Sequence, residues 1–160
     1  MSSKRPATAA MSGRAVTAAA LLLSGLLAGG AAGSGDDETR CLALTIYWEA
    51  RDETREGRVA VGWVVLNRQQ SAKFPSTICR VVKQRGEEGC QFSFWCDGKP
   101  DEPSDGESWA RARELATELL TKPPPDPTHG ATMYHRADLH PAWSRQHRET
   151  ARIGHHIFYL

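Results

Sequence analysis

The sequence predicts a single, mainly helical α+β domain with a small β element near its carboxyl end. A length of 160 residues suits one domain rather than two. Apolar residues recur at helical spacing at 41–51 and 109–120, an apolar run of ten residues lies at 59–68, and two short strand candidates follow at 131–135 and 156–160. Helices that come first and strands that come late are typical of the α+β class.

The composition excludes two broad classes of protein. Twenty Lys and Arg residues against nineteen Asp and Glu give a net charge of +1. A protein that binds nucleic acid through electrostatic attraction needs a clear basic excess, so no nucleic-acid partner is expected. With 40% hydrophobic and 24% charged residues, the chain is also too apolar to be disordered throughout.

Residues 1–33 have the pattern of an export signal. Three basic residues and no acid precede residue 36, and residues 15–35 carry no charge. A basic start, an apolar stretch and small residues predict a signal peptide that is cut after residue 32 or 33. A retained membrane anchor is the alternative, but the apolar stretch is shorter than the roughly 20 residues that span a bilayer. We therefore expect an exported protein, periplasmic or extracellular, that meets the membrane only through this signal.

The elements that follow are predicted from their periodicity. Polar residues 34–40 are expected to form a linker. Residues 41–51 (CLALTIYWEAR) place Leu42, Ile46 and Glu49 on one stripe of a helix. The run at 59–68 is apolar on nearly every side, and its length of ten residues favours a buried helix, although its β-branched content leaves a strand open.

The middle of the chain is predicted to contain a short helix, an irregular segment and a long helix. Ser76 or Thr77 is expected to cap a helix that ends near residue 84. Residues 85–102 are rich in Gly, Cys and acids and form the irregular segment. Ser104 and Glu107 match a capping box for a helix that ends at the Lys-Pro-Pro-Pro sequence of residues 122–125.

The four cysteines predict disulfides rather than a metal site. Cys41, Cys79, Cys90 and Cys96 all follow the export signal, and an even number suits an oxidising compartment. Four cysteines allow three pairings; the spacing of Cys90 and Cys96 fits a stapled loop, which leaves Cys41 with Cys79. A four-thiolate zinc site would lack any C-x-x-C pair. All six histidines lie between residues 129 and 156 without a helical ligand pair, so neither metal nor cofactor is expected.

Glu49 is the candidate catalytic residue. It shares the apolar stripe of Leu42 and Ile46 and follows Trp48, so partial burial of its carboxyl group is expected to raise its pKa. Such a group holds a proton at working pH and can donate it to a leaving oxygen. The alternative is a solvated Glu at a helix end, paired with Arg51 or a neighbouring arginine.

Aromatic residues outside the helical pattern leave two roles open. Phe92, Trp95 and Trp143 lie in polar, loop-like contexts. Each ring either packs in the core or stacks on the apolar face of a sugar. The sequence contains no G-x-S-x-G, Walker loop or G-x-G-x-x-G motif, which removes the usual support for a serine hydrolase or a nucleotide-binding protein.

Taken together, separated motifs across residues 41–160 resemble the cell-wall hydrolase family of the spore-cortex-lytic (SleB/CwlJ) type. The first group comprises residues 42–51 (LALTIYWEAR), 56–61 (EGRVAV) and 65–68 (VLNR). The later matches are 74–75, 77–79, 81–82, 91–93 (QFS), 96–98 (CDG), Trp109, 126–128 (DPT), 130–132 (GAT), 134–135 (YH), Pro141, Trp143 and 153–159 (IGHHIFY). Several motifs in the right order are more specific than any one of them.

The resemblance implies a lysozyme-like catalytic domain at residues 41–160 that cleaves peptidoglycan glycan strands between N-acetylmuramic acid and N-acetylglucosamine. It implies lytic transglycosylation with the Glu of the E-A-R motif, here Glu49, as the single acid and base. The matching positions also imply substrate contacts, with hydrogen bonds from most of them to N-acetyl groups and to developing charge. These positions are Glu53, Gln91, Phe92, Ser93, Thr132, Tyr134 and His135.

The chain departs from the family pattern at one position, and several functions stay open. The family commonly has E-A-R-G-E, whereas this chain has Asp52 in place of the Gly, which affects the local turn more than the acid. Glu53 is expected to orient substrate, water or Arg51, or to be a solvated turn residue. Hydrolysis by a muramidase, a zinc-dependent amidase and a non-catalytic wall-binding module stay open as functions. The expected partner is peptidoglycan, and the protein is expected to be a monomer.

Overall fold

Four α-helices and a late three-stranded sheet form the domain in the computed structural model, which describes residues 32–86 and 89–160. The helices are α1 (Ala32–Ala50), α2 (Arg55–Gln70), α3 (Ile78–Val82) and α4 (Gly106–Thr121). The strands are β1 (Arg85–Gly86), β2 (Gly89–Cys90), β3 (Met133–Arg136), β4 (Glu149–Ile153) and β5 (His156–Tyr159). Short 3-10 helices lie at Ser93–Cys96 and Ala142–Gln146.

Nearly all of the predicted export signal lies outside the described residues, so cleavage stays a prediction. Within residues 32–86 and 89–160, no helix has the length and apolar character needed to cross a membrane.

The central helix, α1, packs against all three other helices. Leu42, Ile46 and Tyr47 are fully buried in the main core, as the stripe pattern predicts. The helix starts earlier than the sequence pattern indicates, because residues 34–40, the expected linker, are part of it. Tertiary contacts explain the extension: the Glu38 carboxylate accepts a hydrogen bond from the backbone of α3, and Arg40 pairs with Glu102 at 2.8 Å.

The apolar run of α2 is a helix, as its length predicts. The Thr54 side chain caps the helix by accepting a hydrogen bond from the Gly57 backbone nitrogen. Val61, Val64 and Val65 are fully buried. One face packs against the main core around α1 and the other against the sheet, so burial on both sides outweighs the lower helix propensity of valine.

Both predicted disulfides are present. Cys41 and Cys79 link α1 to α3 with a Cα separation of 5.2 Å, and Cys90 and Cys96 close the short loop with 6.3 Å. Thr77 caps α3, as expected, by accepting from the Arg80 backbone nitrogen. The segment after α3 is irregular apart from the two-residue strands β1 and β2 and a 3-10 turn.

The capping box predicted for α4 is wrong by one residue. Asp105 is the N-cap, and its carboxylate accepts hydrogen bonds from the backbone nitrogens of Glu107 and Ser108. The Ser104 backbone nitrogen instead donates to the Tyr47 hydroxyl at 3.2 Å. The aspartate carboxylate accepts hydrogen bonds from two backbone N–H groups that have no partner within the helix. Asp105 is therefore the N-cap rather than the neighbouring serine.

The late sheet has the antiparallel order β3-β5-β4. Tyr134 pairs with Phe158 and His135 with Ile157, while β4 forms the other neighbour of β5 through a bulged register. β3 and β5 fall within two residues of the predicted strands, but β4 is not predicted, because ETARI has a mixed polar pattern. Phe158 and Ile153 pack the sheet onto α2, which brings β3 beside the end of α1.

Candidate active site

A groove of about 930 Å³ crosses the domain where the end of α1 meets the sheet and the loop after β3. Its walls come from five parts of the chain: the end of α1 with the turn after it, Arg68 of α2, the loop closed by the Cys90–Cys96 disulfide (the stapled loop), β3 with the segment after it, and the residues that join β4 to β5. The lining residues are Trp48, Glu49, Ala50, Arg51, Asp52, Glu53, Arg68, Gln91, Ser93, Tyr134, His135, Arg136, Leu139, His140, Pro141, Trp143, His155 and His156.

Glu49 lies half-buried in this groove, in the last turn of α1. Its Oε2 accepts a hydrogen bond of 3.0 Å from the Tyr134 hydroxyl. Burial raises the pKa of Glu49, and this effect exceeds the lowering by the Tyr134 hydrogen bond and by the charge of Arg68. The site therefore favours a carboxyl group that keeps its proton at higher pH than a solvated glutamate.

Tyr134 serves this site as a hydrogen-bond donor. Burial, followed by the negative charge of Glu49, raises the pKa of Tyr134 well above its ordinary value. The phenol therefore stays protonated throughout the working range of pH. Its hydroxyl can donate a hydrogen bond to an ionised Glu49 while keeping its own proton.

Arg68 supplies a buried positive charge beneath Glu49 and Tyr134. The residue is only 5% exposed, and its Nε donates a 2.6 Å hydrogen bond to the Thr132 carbonyl. Its guanidinium also lies over the Phe92 ring, 5.3 Å from the ring centre. Burial lowers the pKa of Arg68, but a guanidinium keeps its charge at any pH at which the protein works.

Glu53 is buried in the turn that follows α1. Its Oε1 lies 2.9 Å from the His155 Nδ1 and 3.2 Å from the His155 backbone nitrogen. The His156 Nδ1 lies 3.4 Å from the same oxygen. Burial, as the largest cause, lowers the pKa of His156. The carboxylate of Glu53 is therefore bound by the protein itself, unlike the solvated turn residue that the sequence leaves open.

Three other predicted site residues line the groove. Gln91 and Ser93 lie on the loop closed by the Cys90–Cys96 disulfide, and both are exposed. His135 lines the groove from β3, where its Nε2 lies 2.9 Å from the Tyr159 hydroxyl.

The structure does not bring Phe92 and Thr132 to the groove wall. Phe92 is 2% exposed and belongs to the main core, because the stapled loop turns its ring inward under Arg68. Thr132 holds Arg68 through its carbonyl oxygen. Both residues therefore contact the site through Arg68 rather than through a ligand in the groove.

Sequence reasoning did not assign Arg68, His155 or His156 to the site. Arg68 follows an apolar run, and a charged side chain within a buried helix is a usable signal for a functional or paired group. The two histidines lie in the matched segment 153–159, but their approach to Glu53 depends on the turn between β4 and β5, which no local pattern records. Trp143, for which core and groove are both open, lines the groove.

The titratable residues of the described segments do not form a metal site. In residues 32–86 and 89–160, no group of three or more His, Cys, Asp or Glu side chains has an arrangement that could hold a metal ion.

Comparison with known proteins identifies relatives of this architecture. A family model described as Cell Wall Hydrolase matches residues 52–159. The spore cortex-lytic enzyme of Halalkalibacterium halodurans is 35% identical over 134 residues, and that of Bacillus subtilis is 32% identical over 131. Each alignment covers 79% of this chain but only 36% and 38% of the relative, so the chain spans well under half the length of these proteins.

Two solved structures have the same fold. The catalytic domain of the Bacillus cereus SleB protein matches with a TM-score of 0.62 and 29% identity, over 82% of this chain and 99% of that one. The catalytic domain of the germination-specific lytic transglycosylase SleB from Bacillus anthracis matches with a TM-score of 0.63 and 29% identity, over 81% and 98%. The predicted lysozyme-like α+β class is confirmed.

The family model begins three residues after Glu49, so the assignment of that residue stands on the geometry of the groove. The match nevertheless covers well over half of the chain, and the fold agrees with it. The chain belongs to the cell wall hydrolase family.

Proposed function

We propose that this chain cleaves the glycan strands of peptidoglycan by lytic transglycosylation, with Glu49 as the single acid and base. The observation that carries the proposal is the Glu49 carboxyl group: it is half-buried in the groove, its pKa is raised, and Tyr134 donates to it. Family membership and the fold of a lytic transglycosylase domain support the substrate and the reaction.

The first step needs a protonated Glu49. Its proton passes to the oxygen that joins N-acetylmuramic acid to N-acetylglucosamine, and the bond from that oxygen to muramic C1 breaks. Because burial raises the pKa of Glu49, the acid is still populated when a solvated glutamate would have ionised. The Glu49 carboxylate that results faces the developing positive charge on the sugar.

The second step returns a proton to Glu49. The muramic C6 hydroxyl attacks C1, and its proton passes to the Glu49 carboxylate, which leaves a 1,6-anhydro end and the starting form of the enzyme. The Tyr134 hydroxyl and the Arg68 charge stabilise the carboxylate between the two steps. The substrate supplies the nucleophile, so neither water nor a second carboxylate takes part, in contrast to two-carboxylate glycosidases.

The remaining groove residues are proposed to hold the sugar chain. Gln91 and Ser93 offer exposed polar groups on the stapled loop, and His135 lines the same groove from β3. Trp143 presents a half-buried ring on which the apolar face of a sugar can stack. Phe92 and Thr132 act on the substrate only through Arg68.

Product analysis tests the proposal. Purified sacculi are digested with the protein, and the soluble fragments are measured by mass spectrometry. Transglycosylation yields 1,6-anhydro ends, whereas hydrolysis yields reducing ends that are heavier by one water. Free stem peptides, lost on treatment with a chelator, would indicate an amidase, and binding without soluble product would indicate a wall-binding module. Any of these last three results contradicts the proposal.

We also propose that the protein acts outside the cytoplasm as a monomer. The pattern of residues 1–33 and the two disulfides support export to an oxidising compartment. Fractionation of cells that express the full chain, with light scattering of the purified protein, tests both points. Full-length protein retained in the cytoplasm, or a stable dimer, would contradict them.

A further inference from the structure

We propose that Glu53 is a positioning residue, which holds the turn between β4 and β5 against the end of α1 and thereby sets the hydrogen bond between Tyr134 and Glu49. This inference deepens the proposed function and rests on it for its kinetic consequences. It replaces a direct contact of Glu53 with substrate.

Glu53 borders the groove, but its carboxylate is bound within the fold. Its side chain is only 6% exposed. One carboxylate oxygen is within hydrogen-bond distance of both the backbone nitrogen and the Nδ1 of His155, and the Nδ1 of buried His156 lies 3.4 Å from it. That His156 nitrogen makes no hydrogen bond within the described part of the chain, and the Glu53 carboxylate is its charged neighbour. The carboxylate therefore joins residues that are 102 positions apart in sequence.

Two glycines enclose this carboxylate. A Cβ atom at Gly154 would lie 1.9 Å from the Glu53 Oε2, and a Cβ at Gly57 would lie 2.9 Å from the Glu53 Cβ. Gly154 also has a φ of +58°, a conformation that side chains other than glycine adopt with strain. The turn thus packs directly against the Glu53 carboxylate, with no room for a side chain between them.

The turn leads directly to Tyr134. The residue after the turn, His156, begins β5, which pairs with β3 in the register that sets Phe158 opposite Tyr134. The Tyr134 ring meets the His156 ring edge to face at 5.1 Å and lies 5.8 Å from the Phe158 ring. The Tyr134 hydroxyl then donates to Glu49. The contacts run from Glu53 through His156 and Tyr134 to Glu49. Glu49 lies in the last turn of α1 and Glu53 in the turn that follows this helix.

Charged and titratable groups from several elements surround both Glu49 and Glu53. Arg68 and Tyr134 act on Glu49, from α2 and β3. His155 and His156 face Glu53 from the turn, and Arg58 on α2 donates to its main-chain oxygen. Arg136 lies farther away on β3 and interacts with Glu53 through its charge.

When Glu53 is neutralised, a positioning role and simple charge repulsion predict opposite changes in the pKa of Glu49. Removing a nearby negative charge would lower the pKa of Glu49. Losing the geometry that delivers the Tyr134 hydroxyl would raise the pKa further, because that hydrogen bond stabilises the carboxylate. The sign of the change therefore separates the two roles.

The test measures the Glu49 carboxyl directly, without turnover. The protein carries ¹³C-labelled glutamate, and the Glu49 signal is assigned by its loss in Glu49→Gln. Titrations compare the wild type, Glu53→Gln, Tyr134→Phe and the double variant. Glu102→Gln is the matched control, since it removes a carboxylate from an exposed ion pair with Arg40. We expect the pKa of Glu49 to rise in Glu53→Gln and in Tyr134→Phe, with little further rise in the double variant.

Kinetics on sacculi give the second measurement. We expect Glu53→Gln to lower kcat roughly tenfold with KM nearly unchanged, because a positioning residue acts on the acid rather than on substrate binding. If Glu53→Gln does not fold, His155→Ala replaces it: the His155 side chain is 71% exposed, so its removal spares the core but takes one donor from Glu53. We expect a rise in the Glu49 pKa of the same sign there.

Two results would overturn the inference. One is a Glu49 pKa that falls or stays unchanged in the Glu53 variant, or in the His155 variant where that takes its place. The other is a rise in KM with kcat preserved. A wild type that forms no anhydro product would refute the proposed function instead, while the titration would still decide the role of Glu53.

Discussion

The Tyr134 hydroxyl lies 3.0 Å from the Glu49 Oε2, and this contact joins residues 85 positions apart in the sequence. It connects the last turn of α1 to the first strand of the late sheet. Glu49 alone would be a half-buried acid with a raised pKa. Burial favours the protonated form of Glu49, whereas the Tyr134 hydrogen bond and the Arg68 charge favour its carboxylate. The site therefore stabilises each of the two forms through a different interaction.

We expect Tyr134→Phe to move the alkaline limb of the kcat profile to higher pH. The hydrogen bond stabilises the Glu49 carboxylate, so its loss raises the pKa of the acid, and the active protonated form persists further into the alkaline range. The rate at the optimum should fall by roughly 10- to 150-fold, as a hydrogen bond to a charged group is worth about 1.5–3 kcal/mol. Steady-state rates on sacculi between pH 4 and 9 measure both effects; a limb that moves to lower pH would contradict them.

We expect Glu49→Gln to stabilise the folded protein at neutral pH. The folded-state pKa of Glu49 is raised, so the wild type loses stability as pH rises from the unfolded pKa through the folded one. Glutamine does not ionise and avoids this loss. Thermal unfolding should therefore show a higher midpoint for the variant at pH 7 and equal midpoints near pH 3. A less stable variant at pH 7 would mean that the group is not desolvated.

We expect Gly154→Ala to destabilise the protein more than Gly98→Ala. Both glycines have positive φ, +58° and +76°, so alanine pays roughly 1–2 kcal/mol of backbone strain at either position. Only at Gly154 does the added Cβ collide with a neighbour, the Glu53 carboxylate, whereas nothing lies within 4 Å at Gly98. Urea unfolding of both variants measures the difference. Equal losses would show that the turn can move away from Glu53.

We expect the two disulfides to differ in their effects. Replacing Cys41 and Cys79 by serine opens the longer loop and should lower the free energy of unfolding by about 4 kcal/mol, against about 2 kcal/mol for Cys90 and Cys96, by the chain-entropy relation. The Cys90 and Cys96 pair should nevertheless raise KM more, because it closes the loop that carries Gln91 and Ser93. Urea unfolding and sacculus kinetics test the contrast, and the reverse order in KM would contradict it.

Local patterns predicted the helices and the position of Glu49, because both depend on neighbours within a few turns. The Leu42–Ile46–Glu49 stripe, the buried run of α2 and the Thr77 cap are such patterns. The pairing of Cys90 with Cys96 was also predictable from the sequence, since only five residues separate the two cysteines.

The rest of the site depends on long-range packing. Residues 34–40 are helical because Glu38 and Arg40 contact α3 and the segment before α4, which no local pattern records. β4 (ETARI) pairs with β5 although its sequence has no clear alternation of polar and apolar residues. Phe92 faces the core rather than the groove, and Glu53 meets His155 only once the late hairpin has folded onto α1.

The most direct test of the account compares the wild type with Glu49→Gln on purified sacculi. Glutamine keeps the shape of the side chain and removes its proton, and Glu102→Gln serves as the matched exposed control. We predict that the wild type and the control release 1,6-anhydro fragments at similar rates, while Glu49→Gln, still folded, loses at least about 100-fold of this activity. Release of the same fragments by Glu49→Gln at the wild-type rate would contradict the account.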